Sequence, residues 1–173
     1  SAKVFAGQCR LIELGFRQGG PPGFGLRRVL IEQSGARKGE LARGEHKSIQ
    51  TDRVVLEPGP EVEIEIVRWI YRAFVIDGWN ERRIAEDMNA RGMLSDLGRP
   101  WSRASVHQIL INPKYVGDNV WNRVSFKLKK LRVHNDQDMW IRANRAFPPI
   151  VERAQYEAAQ AIILQRSQKM SDE

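Results

Sequence analysis

The stretch from Asn80 to Asn112, NERRIAEDMNARGMLSDLGRPWSRASVHQILIN, decides the fold. Asn80 can accept a hydrogen bond from the first turn of a helix over 81–91, whose Ile84, Ala85 and Met88 then share one face. Gly92 stops that helix, and Ser95-Asp96-Leu97-Gly98-Arg99-Pro100 reads as a turn or small loop. Ser102 caps a further helix over 103–111, with Val106, Ile109 and Leu110 as its apolar face. Asn112-Pro113 closes it, because a residue before proline is disfavoured in helical geometry. Two short capped helices joined by a glycine-containing connection resemble a helix-turn-helix with an enlarged turn.

In such a unit the second helix is the one that can enter the major groove of DNA. Its apolar residues are spent on packing, which leaves Arg103, Ala104, His107 and Gln108 for the open side. Arginine can read guanine with two parallel hydrogen bonds, glutamine can read adenine, and histidine can bond to a base or a phosphate. Arg99 and Lys114 flank the same helix and join the candidate set. The alternative at this level is an ordinary helical hairpin with a solvated face.

Working outward, Pro58-Gly59-Pro60 opens a helix in which Val62, Ile66, Trp69, Ile70 and Phe74 follow the rhythm of a buried stripe. Glu61, Glu63 and Glu65 lie in its first turns, where the helix dipole favours negative charge, and Asp77-Gly78 ends it. Residues 2–17 show near-helical spacing of Val4, Phe5, Leu11, Ile12 and Leu14. Gly15 and then Gly19-Gly20-Pro21-Pro22-Gly23 terminate that helix, so 18–25 reads as an extended linker. Residues 26–33 and 52–56 read as short strands, and the polar stretch between them as a mobile loop. Beyond Pro113, Tyr115–Val124 and Trp140–Phe147 are strand-like, and a final amphipathic helix over 152–166 turns Tyr156, Ala159, Ile163 and Ile162 inward. The expected class is α+β: helix-turn-helix-like helices, short antiparallel strands, a helix at the N-terminal side and a helix at the C-terminal side.

The 173 residues carry a formal charge of +7, and its distribution is uneven. Residues 10–50 hold eight basic against four acidic side chains, 51–92 hold six against nine, and 99–145 hold ten against three. An acidic middle flanked by basic segments fits parts that face phosphates better than a surface charged for solubility. The segment 123–132 interleaves Phe126, Leu128 and Leu131 with Arg123, Lys127, Lys129, Lys130 and Arg132, as a loop gripping a sugar–phosphate backbone would. A solvated charged hairpin has the same pattern. Arg17, Arg27 and Arg28 flank the Gly/Pro linker, where an extended segment could follow the minor groove.

Enzymatic readings do poorly. His46, His107 and His134 do not share a metal-ligand spacing, so no metal site is expected. Gly19–Gly25 lacks a Walker Lys-Ser/Thr, and no serine sits in a nucleophile elbow. No catalytic residue and no cofactor is assigned. The single Cys9 cannot form an internal disulfide, and apolar stretches fall well short of the roughly 18–20 residues that cross a bilayer. A cytoplasmic, non-membrane setting is expected.

The order of motifs resembles the recombinase domain of the large serine recombinases, the integrases and transposases with a serine nucleophile. The pieces that carry the resemblance are GGPPGFG (19–25), a helix carrying E..IV.WIY (63–71), DGWNERRIAEDMNARGM (77–93), GRPWSRASVHQILINPKYVG (98–117) and FPPIVERAQYEAAQ (147–160). Each is loose alone; in order and at this spacing they are specific, and they cover roughly residues 19–165. Gly23, Phe24 and Gly25 match the family's linker motif, where tyrosine is more usual than Phe24. Trp101, Ser102, Val106 and Leu110 match its second-helix motif, with Ser102 as a cap and the others as packing residues.

The resemblance implies a DNA-binding domain over 19–147, preceded by the end of a linker helix (1–18) and followed by a helix over 148–173. The family's catalytic domain, with its serine and arginine cluster, and the cysteine pairs of its zinc ribbon are not in these residues. This stretch is therefore expected to bind DNA without cutting it. The implied partner is double-stranded DNA, half an attachment site in a phage, prophage or mobile element of a bacterium. The implied parent enzyme works as a dimer and tetramer on DNA, with a monomer expected for the chain alone. Two rivals remain open: a helix-turn-helix transcriptional regulator, and a protein-interaction module using Trp79, Trp121 and Trp140.

Overall fold

A computed structural model describes residues 2–125 and 131–171. They form two compact units, each gathered from separate stretches of chain. The first holds the chain up to Pro22, Arg27–Glu57 and Gly117–Pro148; the second holds Gly23–Leu26, Pro58–Val116 and the chain from Pro149. The fold class is α+β, as expected, with five helices and short antiparallel strands among the described residues.

The first unit begins with α1 (Ala2–Glu13). A three-stranded sheet of order β2-β1-β3 follows, made of β1 (Leu26–Ile31), β2 (Arg37–Leu41) and β3 (Arg53–Pro58). β1 and β2 run antiparallel, with Arg28 opposite Leu41 and Leu30 opposite Gly39. The reading of 34–51 as a mobile loop is therefore wrong over Arg37–Leu41. That strand lies at the sheet edge, and only Leu41 of its RKGEL is buried. Charged, exposed edge strands lack the apolar alternation by which strands are recognised. Pro58, which has no N–H to give a ladder, ends β3.

Two further ladders complete this unit: β4 (Asn119–Trp121) with β7 (Ile141–Ala143), and β5 (Val124–Ser125) with β6 (Val133–His134), all antiparallel. The expected strand from Tyr115 is shorter at its start, because Pro113–Val116 forms a 3-10 turn that buries Tyr115 and Val116. Helix α1 lies against β4 and β7, with Phe5 and Trp121 rings 5.5 Å apart. Of its five apolar candidates, Ile12 alone is buried.

The second unit is helical: α2 (Glu61–Val75), α3 (Glu81–Ala90), α4 (Arg103–Leu110) and α5 (Arg153–Ser171). Pro60 stands before α2 in extended geometry, and Glu61 and Glu63 occupy its first turn. Its inward face differs from the expected stripe. Ile64, Val67, Ile70, Tyr71, Ala73 and Phe74 are buried, while Val62 is 72% exposed and Ile66 and Trp69 are half-buried. Apolar residues occupy so much of this helix that two stripes satisfy the same spacing. The stripe that meets α3, α4 and α5 is the one removed from water. Ile84, Ala85 and Met88 of α3 and Val106, Ile109 and Leu110 of α4 are buried, matching the sequence reading at each position.

The segment Gly23-Phe24-Gly25 is locked to this unit by its backbone. Gly25 N donates to Glu63 Oε2 at 3.0 Å, and Gly25 O accepts from Gly59 N at 2.8 Å. Gly25 has φ +79°, and a Cβ there would meet Val67 Cγ2 at 3.1 Å. Glycine is required twice over, for conformation and for space.

Candidate nucleic-acid interface

Helix α4 is held at both ends. At its start Ser105 N donates to Ser102 Oγ at 3.1 Å and Ser102 N donates to Ser105 Oγ at 2.8 Å, a reciprocal cap. Asn89 of α3 reaches the residue before that cap, accepting from Trp101 N at 2.7 Å and donating to Trp101 O at 2.8 Å. Trp101 is buried, and Phe24 meets its ring edge-on at 5.1 Å. The last carbonyls of a helix have no partner within it. Here other helices supply them: Tyr71 Oη lies 2.9 Å from Ile109 O and 3.2 Å from Leu110 O, Gln160 Nε2 donates to Leu110 O at 2.6 Å, and Tyr156 Oη donates to Ile111 O at 3.3 Å. Burial keeps the Tyr71 hydroxyl protonated well above the usual tyrosine range.

A helix fixed in this way presents one face. Arg103, Ala104 and Gln108 are exposed on it, and Arg99 is exposed in the turn before it. Arg103 stands on the wall of two hollows. One, of about 360 Å3, is shared with Arg82, Asn89 and Trp101; the other, of about 890 Å3, is shared with Glu81, His107 and Arg166. Its guanidinium is a planar fork of donors suited to guanine or phosphate.

His107 is placed differently from Arg103. It is half-buried, with Nδ1 3.1 Å from Oε1 of the buried Glu81. Arg166 Nη1 stands 3.9 Å from the other oxygen of that carboxylate, so α3, α4 and α5 meet at one acidic group. Lys114 is half-buried in the turn after α4, its backbone N bonded to Asn112 Oδ1 at 3.1 Å. Sequence reasoning missed Arg82 and Glu81. Arg82 was findable, since it lies just after the Asn80 cap and off the Ile84 face. The pairing of Glu81 with His107, 26 residues apart, has no local signal.

The remaining candidates belong to the first unit. Arg17 is half-buried, its Nη1 3.5 Å from Asn119 Oδ1, and burial pulls its pKa below the ordinary arginine value. Arg27 is half-buried, and Arg28 Nη2 donates to Ala42 O at 2.6 Å. Arg123 lies 4.8 Å over the Trp140 ring, with Arg142 at 5.1 Å from the same ring, and Arg132 is exposed. Lys127, Lys129 and Lys130 lie outside the described residues. The candidates thus fall in both units; Arg103 and His107 share one hollow in the second unit, and Arg17 and Arg28 share another in the first.

The tryptophans of the interaction-module reading are engaged internally. Trp79 sits edge-on to Trp69 at 5.9 Å with Arg83 4.0 Å over its ring, Trp121 meets Phe5, and Trp140 Nε1 donates to Asn135 O at 3.0 Å. Among the described residues no three His, Cys, Asp or Glu side chains gather to hold a metal ion, and no helix is long and apolar enough to cross a membrane.

The sequence model of a family described as Recombinase matches residues 61–166, from the start of α2 into α5. No curated protein sequence matches the chain. Among solved structures, one described as the crystal structure of an LSR-DNA complex is 16% identical, with a TM-score of 0.56 over 95% of this chain and 38% of that one. Another, described under the sequence requirements of the Listeria innocua prophage attP site, is 16% identical with a TM-score of 0.54, over 93% of this chain and 51% of that one. The chain spans about half the length of these neighbours or less, and at this identity the likeness is one of fold.

Proposed function

The chain belongs to the Recombinase family, and we propose that it is the DNA-binding part of a serine site-specific recombinase. It binds one half of an attachment site as double-stranded DNA. The parent enzyme carries the serine, cuts both strands, exchanges them and rejoins them through phosphoserine links, as a dimer on each site and a tetramer in synapsis. The observation that carries the reading is α4, capped at its start, tied at its end by Tyr71, Gln160 and Tyr156, and open on the side of Arg103 and Gln108. A helix that cannot shift is what base readout needs, since side chains must meet base edges at fixed positions. The folds it shares with an LSR-DNA complex support the same reading.

In this reading Arg103 and Gln108 supply base contacts from the major groove. Arg99, Lys114, Arg123, Arg132 and the basic segment with Lys127, Lys129 and Lys130 supply phosphate contacts, and Arg17, Arg27 and Arg28 contact the backbone near the minor groove. His107 orients α4 through Glu81. Affinity then comes mostly from phosphates and specificity from α4.

The test is fluorescence anisotropy with duplex DNA across a salt series, starting from a pool of duplexes from which the chain selects its preferred sequence. Arg103→Ala is expected to lose about 1–3 kcal/mol on the preferred sequence and little on others. Lys127/Lys129/Lys130→Ala is expected to weaken all duplexes alike and flatten the salt slope by about 2–3. Absence of wild-type binding at low salt sinks the reading.

A further inference from the structure

Arg17, Arg28, His46, Lys47 and Arg53 of the first unit line one hollow of about 320 Å3, and among the described residues its lining contains no carboxylate. Four of these side chains are permanently cationic. Three of them, Arg28, Lys47 and Arg53, are held by main-chain oxygens, which orient a cation without cancelling its charge. Arg28 Nη2 donates to Ala42 O at 2.6 Å, and Lys47 Nζ donates to Gln50 O and Asp52 O, both at 2.9 Å. Arg53 Nη1 donates to the carbonyls of Gln50, Thr51 and Asp52 at 3.0, 3.0 and 3.2 Å. The nearby Asp52 carboxylate is taken by Lys38, 2.9 Å away and outside the lining. Arg17 Nε is buried and meets no acceptor among the described residues. Gathering like charges at one hollow is unfavourable unless a counter-charge completes it.

We propose that this hollow is an anion site for a single phosphate group, filled on DNA by a phosphodiester of the backbone. The source of the phosphate rests on the DNA-binding reading; the charge arrangement does not. Arg17 and Arg28 then act with His46, Lys47 and Arg53, which come from the stretch between β2 and β3 and the start of β3. Guanidinium forks and an ammonium are the donors that phosphate oxygens take best. A bound phosphate also gives the buried Nε of the half-buried Arg17, whose pKa burial lowers, an acceptor in place of the water it has lost.

The test compares the whole chain with Arg28→Gln/Arg53→Gln, Lys47→Gln and, as a charge control on α1, Lys3→Gln. Glutamine keeps a donor for the carbonyls while removing charge, and circular dichroism checks folding. Lys47 is exposed, so Lys47→Gln serves if the double variant unfolds. With duplex DNA, Lys47→Gln is expected to weaken binding several-fold on all sequences and lower the salt slope by about 1, with a larger effect in the double variant and none in Lys3→Gln. In thermal melts, inorganic phosphate replacing chloride at matched ionic strength is expected to raise the Tm of wild type and Lys3→Gln but not of the hollow variants. Wild-type DNA binding whose slope is unchanged in both hollow variants overturns the inference and leaves the DNA-binding reading standing. If wild type binds no DNA, that reading fails and the melts decide. A phosphate shift lost in the variants upholds the anion site, whereas no shift, or one retained in the variants, overturns it.

Discussion

Single residues carry much of the constraint in the second unit. Gly25 sits at φ +79° against Val67, so Gly25→Ala is expected to lower stability by about 1–3 kcal/mol, measured by urea unfolding. Asn89 makes two bonds to the backbone of Trp101. Asn89→Ala removes both and is expected to cost about 1–3 kcal/mol, with Asn89→Asp recovering part through the bond it can still accept. Tyr71 and Tyr115 are both buried, and burial raises the pKa of each. The folded chain thus holds these protons while the unfolded chain releases them near pH 10, about the ordinary tyrosine value. Their contribution is complete below that pH, and stability falls as pH rises above it. Urea midpoints at about pH 8 and about pH 11 check this, and Tyr71→Phe is expected to reduce the fall.

Elements differ in how far their own sequence specifies them. The caps of α3 and α4 were legible, because Asn80 and Ser102 act on backbone groups three residues away. Ser102→Ala is expected to cost about 1 kcal/mol and to weaken DNA binding while Arg103 is intact, which paired unfolding and anisotropy measurements would show. The open face of α4 was legible by subtraction, once Val106, Ile109 and Leu110 were assigned to the core. Strand β2 was not, since only Leu41 of its five residues is buried and its partner β1 supplies what orders it. The inward face of α2 was misread for the opposite reason, an excess of apolar residues. Val62 and Val67 are equally apolar, and only the helices packed on one side distinguish them. The contact between Glu81 of α3 and His107 of α4 joins two elements and could not be read from either alone.

Each unit of the whole molecule is gathered from stretches far apart in the chain. A chain stopped at Pro148 lacks α5, and with it Gln160 and Tyr156, the partners of the Leu110 and Ile111 carbonyls. That truncation is expected to lose cooperative unfolding of α2, α3 and α4, read by circular dichroism in urea, while Ser102→Ala keeps it. The tie between α5 and α4 also sets a timetable. Synthesis runs from the N-terminus, so α4 leaves the ribosome some 50 residues before Gln160, the separation between Gln160 and Leu110. During that interval, a few seconds at about 5–20 residues per second, the carbonyl end of α4 lacks the donors that Gln160 and Tyr156 supply. The second unit is thus completed only once α5 has been made, and a nascent chain cannot present α4 in its final geometry before then.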